Sequence, residues 1–286
     1  MDLLHPPAEV HVDADLVRAL LRSQQPALSD VTLTLVDEGW DNVTFRAGRR
    51  HAVRLPRREA AVPLLLNEAR WLPDLSAGLP LAVPRPVFLG APDDTYRWPW
   101  AVVEWVEGTT VDEVPLRSDQ VERIVDFLTA LHHHAPDAAP VSAVRGTPLE
   151  ASREVVEGRI QRSGRERLRR VWTAALAAQP SAERRWLHGD LHARNVLAVD
   201  GRVSGVLDWG DVTAGDVATD LASAWLLFDD ASARRALLDR YGASDETRAR
   251  AAGWAVNFAA SLVVSGEPRH AAMGEVVADR LEQDFC

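Results

Sequence analysis

Two apolar runs meeting at an Asp-Gly pair constrain this chain most. Asn195-Val-Leu-Ala-Val199 and Arg202-Val-Ser-Gly-Val-Leu207 are separated only by Asp200-Gly201. Asp-Gly between strand-like runs is a strong signal for a two-residue hairpin loop. With that loop, Val199 faces Arg202 and Asn195 faces Val206. Asp208, two positions past Val206, then projects from the same face. The hairpin delivers an amide oxygen and a carboxylate to one end of one surface. Two hard oxygen ligands suit Mg2+, which keeps several waters and takes one or two protein ligands plus phosphate oxygens. Asp190 lies on the loop just upstream, placed to receive a proton from an attacking hydroxyl. That is the layout of phosphoryl transfer.

Length and composition exclude several classes. A chain of 286 residues can bury a large core, as one large or two modest domains. No run approaches the ~18 apolar residues of a membrane span. The start, Met1-Asp-Leu-Leu-His-Pro-Pro7, lacks the basic and apolar regions of a signal peptide. The only cysteine is Cys286, so disulfides play no part and the cytoplasm is the expected location. The formal charge of −10 argues against a nucleic-acid partner and is compatible with a cationic one. All 32 basic residues are arginine, so any site needing a cation must use a guanidinium, which prefers planar contacts with phosphate or carboxylate.

Along the chain, residues 12–24 carry apolar positions at helical spacing with Asp13 and Asp15 in the first turn. Val31–Val36, Asn42–Phe45 and Arg49–Leu55 read as antiparallel strands. Gly39 sits at the tip between the first two, either as an ordinary turn or as a loop over phosphates. Arg54 ends the third strand, and the helical stretch 60–76 carries Glu68, which could pair with it. Such a pair, taken alone, is as readily a surface ion pair. Trp98–Gly108 is a hydrophobic strand ending where a crossover linker should fall. A purine there would use the Glu104 C=O and the Val106 N–H, and Trp98, Trp100 and Trp105 read as core. From Ser118 onward the chain is mainly helical. His132, His133 and His134 point in different directions on a helix and read as a solvated helix end. The arginine-rich segment 153–170 reads as an exposed helical hairpin, not an anion site. Helices are expected at 216–228, with Asp216 as N-cap, and at 231–241, 245–264 and 268–283.

His188-Gly-Asp-Leu-His-Ala-Arg-Asn195 with Val206-Leu-Asp208 resembles the catalytic and metal-binding segments of the aminoglycoside phosphotransferase (choline-kinase-like) family. The resemblance is specific over roughly residues 186–222 and looser elsewhere. It implies an α+β, bilobal protein-kinase-like fold. A small antiparallel-sheet lobe at 1–103 would bind nucleotide, residues 104–110 would form the hinge, and a helical lobe at 111–286 would carry the catalytic loop and acceptor site. On the same resemblance, Asp190 is the catalytic base, His188 buttresses its loop, and Asn195 and Asp208 hold Mg2+. Arg54 and Glu68 stand for the phosphate-anchoring Lys–Glu pair, with arginine in place of the usual lysine. Asp220 is a structural position.

The implied activity is transfer of the γ-phosphate of ATP or GTP to a small-molecule hydroxyl, by a monomer or homodimer without nucleic-acid or membrane partners. The leading acceptor is an aminoglycoside, for which Asp211, Asp216, Asp229 and Asp230 would build an acidic pocket. The plainer reading has Asp216 capping a helix and the others solvated. Macrolides and metabolic acceptors such as choline, homoserine or a sugar are the alternatives. In a different class, His188, Asp190 and His192 form an alternating set that would suit a metallohydrolase.

Overall fold

The computed structural model describes residues 7–285; Met1–Pro6 and Cys286, on which the leader and cysteine expectations partly rest, lie outside them. Alternation of apolar and polar residues builds the first part. Helix α1 (Ala14–Gln24) starts at Asp13, whose carboxylate accepts from Leu16 N at 2.8 Å, so Asp13 is the N-cap rather than a first-turn residue. Strands β1 (Leu33–Glu38), β2 (Asn42–Ala47) and β3 (His51–Pro56) follow. Then come α2 (Val62–Ser76), β4 (Pro86–Gly90) and β5 (Trp100–Glu104). The five strands form one antiparallel sheet in the order β1-β2-β3-β5-β4.

The pleat decides which side each residue serves. Val53, Leu55, Trp100 and Val102 pack with Val17, Leu20 and Leu21 of α1 on one face. Ala52, Ala101 and Val103 pack with Leu65 of α2 on the other. Arg54 shares its face with Ala52, which turns its side chain toward α2. Trp98 and Trp100 are buried core, as expected; Trp105 lies under the Arg46 guanidinium, 4.3 Å from its ring centre.

The rest is mainly helical. A short strand β6 (Thr109–Thr110) leads to α3 (Val121–Leu131), α4 (Arg153–Ser163) and α5 (Leu168–Ala177). Strands β7 (Arg185–Leu187), β8 (Val196–Val199), β9 (Arg202–Val206) and β10 (Thr213–Gly215) come next. The chain closes with α6 (Ala218–Leu221), α7 (Ser223–Leu227), α8 (Ala231–Tyr241), α9 (Asp245–Val263) and α10 (Pro268–Phe285). The helix expected at 216–228 is therefore two short helices. Helix α9 is buried on every side from Arg250 to Ala260, as befits a central helix, and packs against α4, α5, α6 and α10. No helix among the described residues is long and apolar enough to cross a membrane.

The β8–β9 hairpin has the expected two-residue loop, with Asp200 at φ +52° and Gly201 at φ +73° and Val199 opposite Arg202. Its far end differs by one residue. A bulge between Leu197 and Ala198 in the pairing puts Val196, not Asn195, opposite Val206. Asn195 instead meets Leu207, whose N–H donates to the Asn195 carbonyl at 2.7 Å. Asp208 then follows at φ +58°, a left-handed conformation that aspartate tolerates better than most residues.

The hairpin is strapped to the first part of the chain through Gly205. Val206 N donates to Ala82 O at 2.9 Å, and a Cβ on Gly205 would lie 2.4 Å from the Val106 side chain and 2.8 Å from Ala82 O. Gly205→Ala should therefore cost about 1–3 kcal/mol through overpacking. Gly78→Ala, with nothing within 4 Å of the added carbon, should change stability by less than about 0.5 kcal/mol. Denaturant melts of both variants check this; equal effects would mean the close approach at Gly205 carries no strain.

Candidate active site

Backbone geometry organises the loop at 188–195. Asp220, fully buried, accepts from His188 N at 2.7 Å and Gly189 N at 2.9 Å. His188 is fully buried, with Nε2 2.8 Å from Leu207 O and Nδ1 accepting from Asp190 N at 3.2 Å. The carbonyl partner puts the proton on Nε2. This one imidazole ties the start of the loop to the end of the hairpin. His132 is not at a solvated helix end. It is buried and bridges Asp220 Oδ2, at 3.2 Å, to the Tyr241 hydroxyl, at 2.8 Å, while His133 and His134 are exposed.

Both carboxylate oxygens of Asp190 are engaged. Oδ1 accepts from Arg145 Nη2 at 2.7 Å; Oδ2 lies 3.3 Å from both Asn195 Nδ2 and His192 Nε2. Burial pushes the Asp190 carboxyl up, but Arg145 and then His192 outweigh it and hold the group well below the usual carboxylate range. Asn195 Nδ2 also donates to Asp190 O at 2.9 Å, leaving the amide oxygen unused by Asp190.

On the sheet side, Arg54 Nη1 meets both oxygens of Glu68 at 2.6 and 2.5 Å, and Nη2 reaches Asp208 Oδ1 at 3.2 Å. Glu68 also accepts from Trp209 N at 3.1 Å, joining α2 to the residue after Asp208. Burial lowers the proton affinity of Arg54, but Glu68 and Asp208 more than reverse this, so it stays cationic.

The remaining sequence candidates are distributed as follows. Gly39 closes the β1–β2 turn, donating to Asn42 O and accepting from Arg57 Nη1, each at 3.0 Å. Glu104 ends β5 with its side chain paired to Arg85 at 2.8 Å, and Val106 packs against Gly205. Of the four aspartates expected to form one acidic pocket, only Asp211 shares the electrostatic surroundings of Asp190 and Asp208. Asp216 is buried against Arg250 Nε at 2.6 Å and accepts from Ala218 N at 3.1 Å. Asp229 pairs with Arg280, and Asp230 caps α8 by accepting from Ser232 N at 2.7 Å.

Three contributors were not foreseen. Arg145 comes from an irregular loop far from the motif in sequence. Asp41, paired with Arg58, lies close enough to Asp190 and Asp208 for their charges to raise its proton affinity further, on top of burial. Arg194, inside the motif, reaches His270 Nε2 at 2.7 Å and Asp37 at 3.7 Å. It thereby links the end of β1 to α10.

A metal could be held by Asn195 Oδ1 and Asp208 Oδ2, the oxygens these contacts leave over. No three His, Cys, Asp or Glu side chains among the described residues form a metal-holding group, which agrees with a hard cation using few protein ligands. It does not suit His188, Asp190 and His192 as a ligand set, since both ring nitrogens of His188 are already engaged.

An antiparallel sheet with one helix on each face, joined to a helical body carrying this loop and hairpin, defines a phosphotransferase of the protein-kinase-like fold. The chain belongs to the phosphotransferase enzyme family, whose model matches residues 32–254. It is 32% identical over 194 residues to viomycin phosphotransferase from Streptomyces vinaceus, covering 62% of this chain and 67% of that one. The GDP complex of wild-type aminoglycoside 2'-phosphotransferase-IIIa superposes with a TM-score of 0.73 at 16% identity, over 96% of this chain and 100% of that one. Macrolide 2'-phosphotransferase type I does so with 0.62 at 22% identity, over 94% and 97%.

Burial pushes the Asp211 carboxyl up to about 6; Arg145 opposes this, and Asp190, Asp208 and Asp41 add to it. Because this carboxyl holds its proton more tightly in the folded chain, its ionisation costs stability increasingly as pH rises from about 4 through 6. Asp211→Asn should therefore raise the melting temperature more at pH 7.5 than at pH 4.5. Melts of the metal-free protein at both values test it, and equal shifts would contradict the assignment.

Proposed function

We propose that this phosphotransferase moves the γ-phosphate of ATP or GTP to a hydroxyl of a small molecule, with Mg2+ as cofactor. The observation that carries the reading is the gathering of Asp41, Asp190, Asp208 and Asp211 around Arg54, Arg58 and Arg145. So many mutually repelling carboxylates in a half-buried cleft are suited to a cation that arrives with its substrate.

In this reading the chain divides into a nucleotide-binding part at 1–103, a hinge at 104–110 and a helical part at 111–286. The GDP bound by a structural neighbour supports a purine nucleotide as donor. The Glu104 C=O and Val106 N–H would meet its base, with Gly39 in the turn above its phosphates. Arg54, kept straight by Glu68, directs its guanidinium at the α- and β-phosphates. Asn195 and Asp208 would hold Mg2+, which when bound neutralises charge on the donor phosphates. His188 fixes the loop so that Asp190 faces the acceptor. Asp190 orients the acceptor hydroxyl and takes its proton as the new P–O bond forms. With its proton affinity held so low, Asp190 contributes chiefly by positioning.

The acceptor is a small-molecule alcohol. An aminoglycoside is supported by the aminoglycoside enzymes among the structural neighbours, but of the four carboxylates proposed for it only Asp211 meets the site. A macrolide or a metabolic hydroxyl asks for fewer acids. The chain would act in the cytoplasm as a monomer or homodimer.

Asp190→Asn should lower kcat by about 10²–10⁴-fold while Mg2+-ATP affinity stays within a few-fold, read by radiolabelled transfer and by calorimetry. A variant with undiminished turnover would remove Asp190 as the base. Asp208→Ala should abolish the difference in nucleotide affinity measured with and without Mg2+; a persisting difference would place the metal elsewhere.

A further inference from the structure

Two guanidinium groups rest on adjacent residues of α9, and one of them also reaches Asp190. Arg145 lies over the Phe258 ring, 4.9 Å from its centre, and reaches Asp190 with Nη2. Arg159, from α4, donates from Nη1 to Asn257 Oδ1 at 3.1 Å. The sequence places Arg159 on an exposed arginine-rich hairpin, and several neighbours there behave as expected. Arg153 pairs with Glu150 and Glu157, Arg165 with Glu275 and Asp279, and Arg169 with Glu166. Arg159 is different: it is partly buried and, among the described residues, has no carboxylate within ion-pair distance. Burial lowers its proton affinity most, and the like charges of Arg145 and Arg162 lower it further.

A partly desolvated guanidinium held only by a neutral amide and pressed by like charges is poorly satisfied. Its flat fork suits a carboxylate bound by two N–H groups. The acids nearby do not fill that role. Asp216 is neutralised by Arg250, and Asp190 is already shared by Arg145, His192 and Asn195.

We infer that Arg145 and Arg159 form an anion subsite beside Asp190, so that the acceptor carries a carboxylate close to the hydroxyl that is phosphorylated. This rests on the phosphotransferase reading and narrows its substrate class to hydroxy acids. In such a complex the acceptor's carboxylate lies against both arginines, Arg145 turns part of its fork from Asp190 to the ligand, and the freed carboxylate oxygen receives the hydroxyl.

The test uses the full chain without nucleotide. Glycerate, tartrate and gluconate are titrated against their uncharged amides at fixed ionic strength, with inorganic phosphate as a separate arm. At least one acid should bind tenfold or more tighter than its amide. Arg159→Gln should erase that preference, and Arg159→Lys, which keeps the charge without the fork, should keep only part of it. With Mg2+-ATP added, the preferred acid should be phosphorylated, and Arg159→Gln should raise its KM at least tenfold with a smaller change in kcat. The inference is overturned if no acid exceeds its amide, if Arg159→Gln leaves the preference intact, or if only inorganic phosphate binds in an Arg159-dependent way. Failure of the phosphotransferase reading looks different: Mg2+-ATP would neither bind nor lose phosphate, whatever the nucleotide-free titrations show.

Discussion

A single buried carboxylate holds the site together. Asp220 accepts from two consecutive backbone N–H groups, at His188 and Gly189, and from the His132 ring. A fully buried charge is costly unless nearly every lone pair is used, and here the burial penalty is outweighed by those donors, which keep the group below its ordinary range. The bonds fix where the chain turns into the catalytic loop. His188 passes that position on, to Leu207 O at the end of the hairpin and to Asp190 N on the loop. The loop and hairpin are therefore bonded into one piece, with Trp209 edge-on to His188 at 4.9 Å.

The sheet side is tied to the same piece through Glu68. One carboxylate on α2 grips Arg54 from β3 and the N–H of Trp209 just past Asp208. Removing its charge would leave a buried guanidinium short of a partner and a backbone donor unpaired, a combination that in other proteins costs about 3–5 kcal/mol. That economy of parts explains why arginine suits position 54. Its fork spans Glu68 with one nitrogen and Asp208 with the other, and a lysine ammonium is a compact point charge without that planar reach.

How much of this could be read from the sequence depended on how local the cause was. The hairpin loop was legible because Asp200 and Gly201 carry their own conformational preference. Its far register was not, since the bulge answers to the packing of Gly205 on Val106 and Ala82, which are distant in sequence. Asp190, Asn195 and Asp208 could be singled out because residue type and spacing restrict what they can do, whereas the Arg54–Glu68 pair stood out only through the family resemblance. Arg145 had no such signal, being one arginine among 32 in a loop without periodicity. Asp216, Asp229 and Asp230 looked like a cluster because they are near in sequence, but each has a nearer partner in space. His132 looked solvated because two exposed histidines follow it, yet its ring turns inward where α3 ends.

The arrangement also bears on what kind of catalyst this is. A base tuned for proton abstraction near neutral pH would be desolvated and left without cationic neighbours, so that its proton affinity rose toward the working pH. Asp190 has the desolvation, but Arg145 and His192 cancel it and carry the group the opposite way. A carboxylate so stabilised is a poor proton acceptor in the ground state and a firm hydrogen-bond acceptor for a hydroxyl. In phosphoryl transfer through a loose transition state, the nucleophile needs little deprotonation before the leaving group departs, and alignment supplies most of the gain. The site's electrostatics therefore favour orientation over base strength. They also make Arg145 the residue through which the proposed anionic acceptor would alter Asp190, because an anion that drew that guanidinium away would raise the proton affinity of the carboxylate as the hydroxyl came into line.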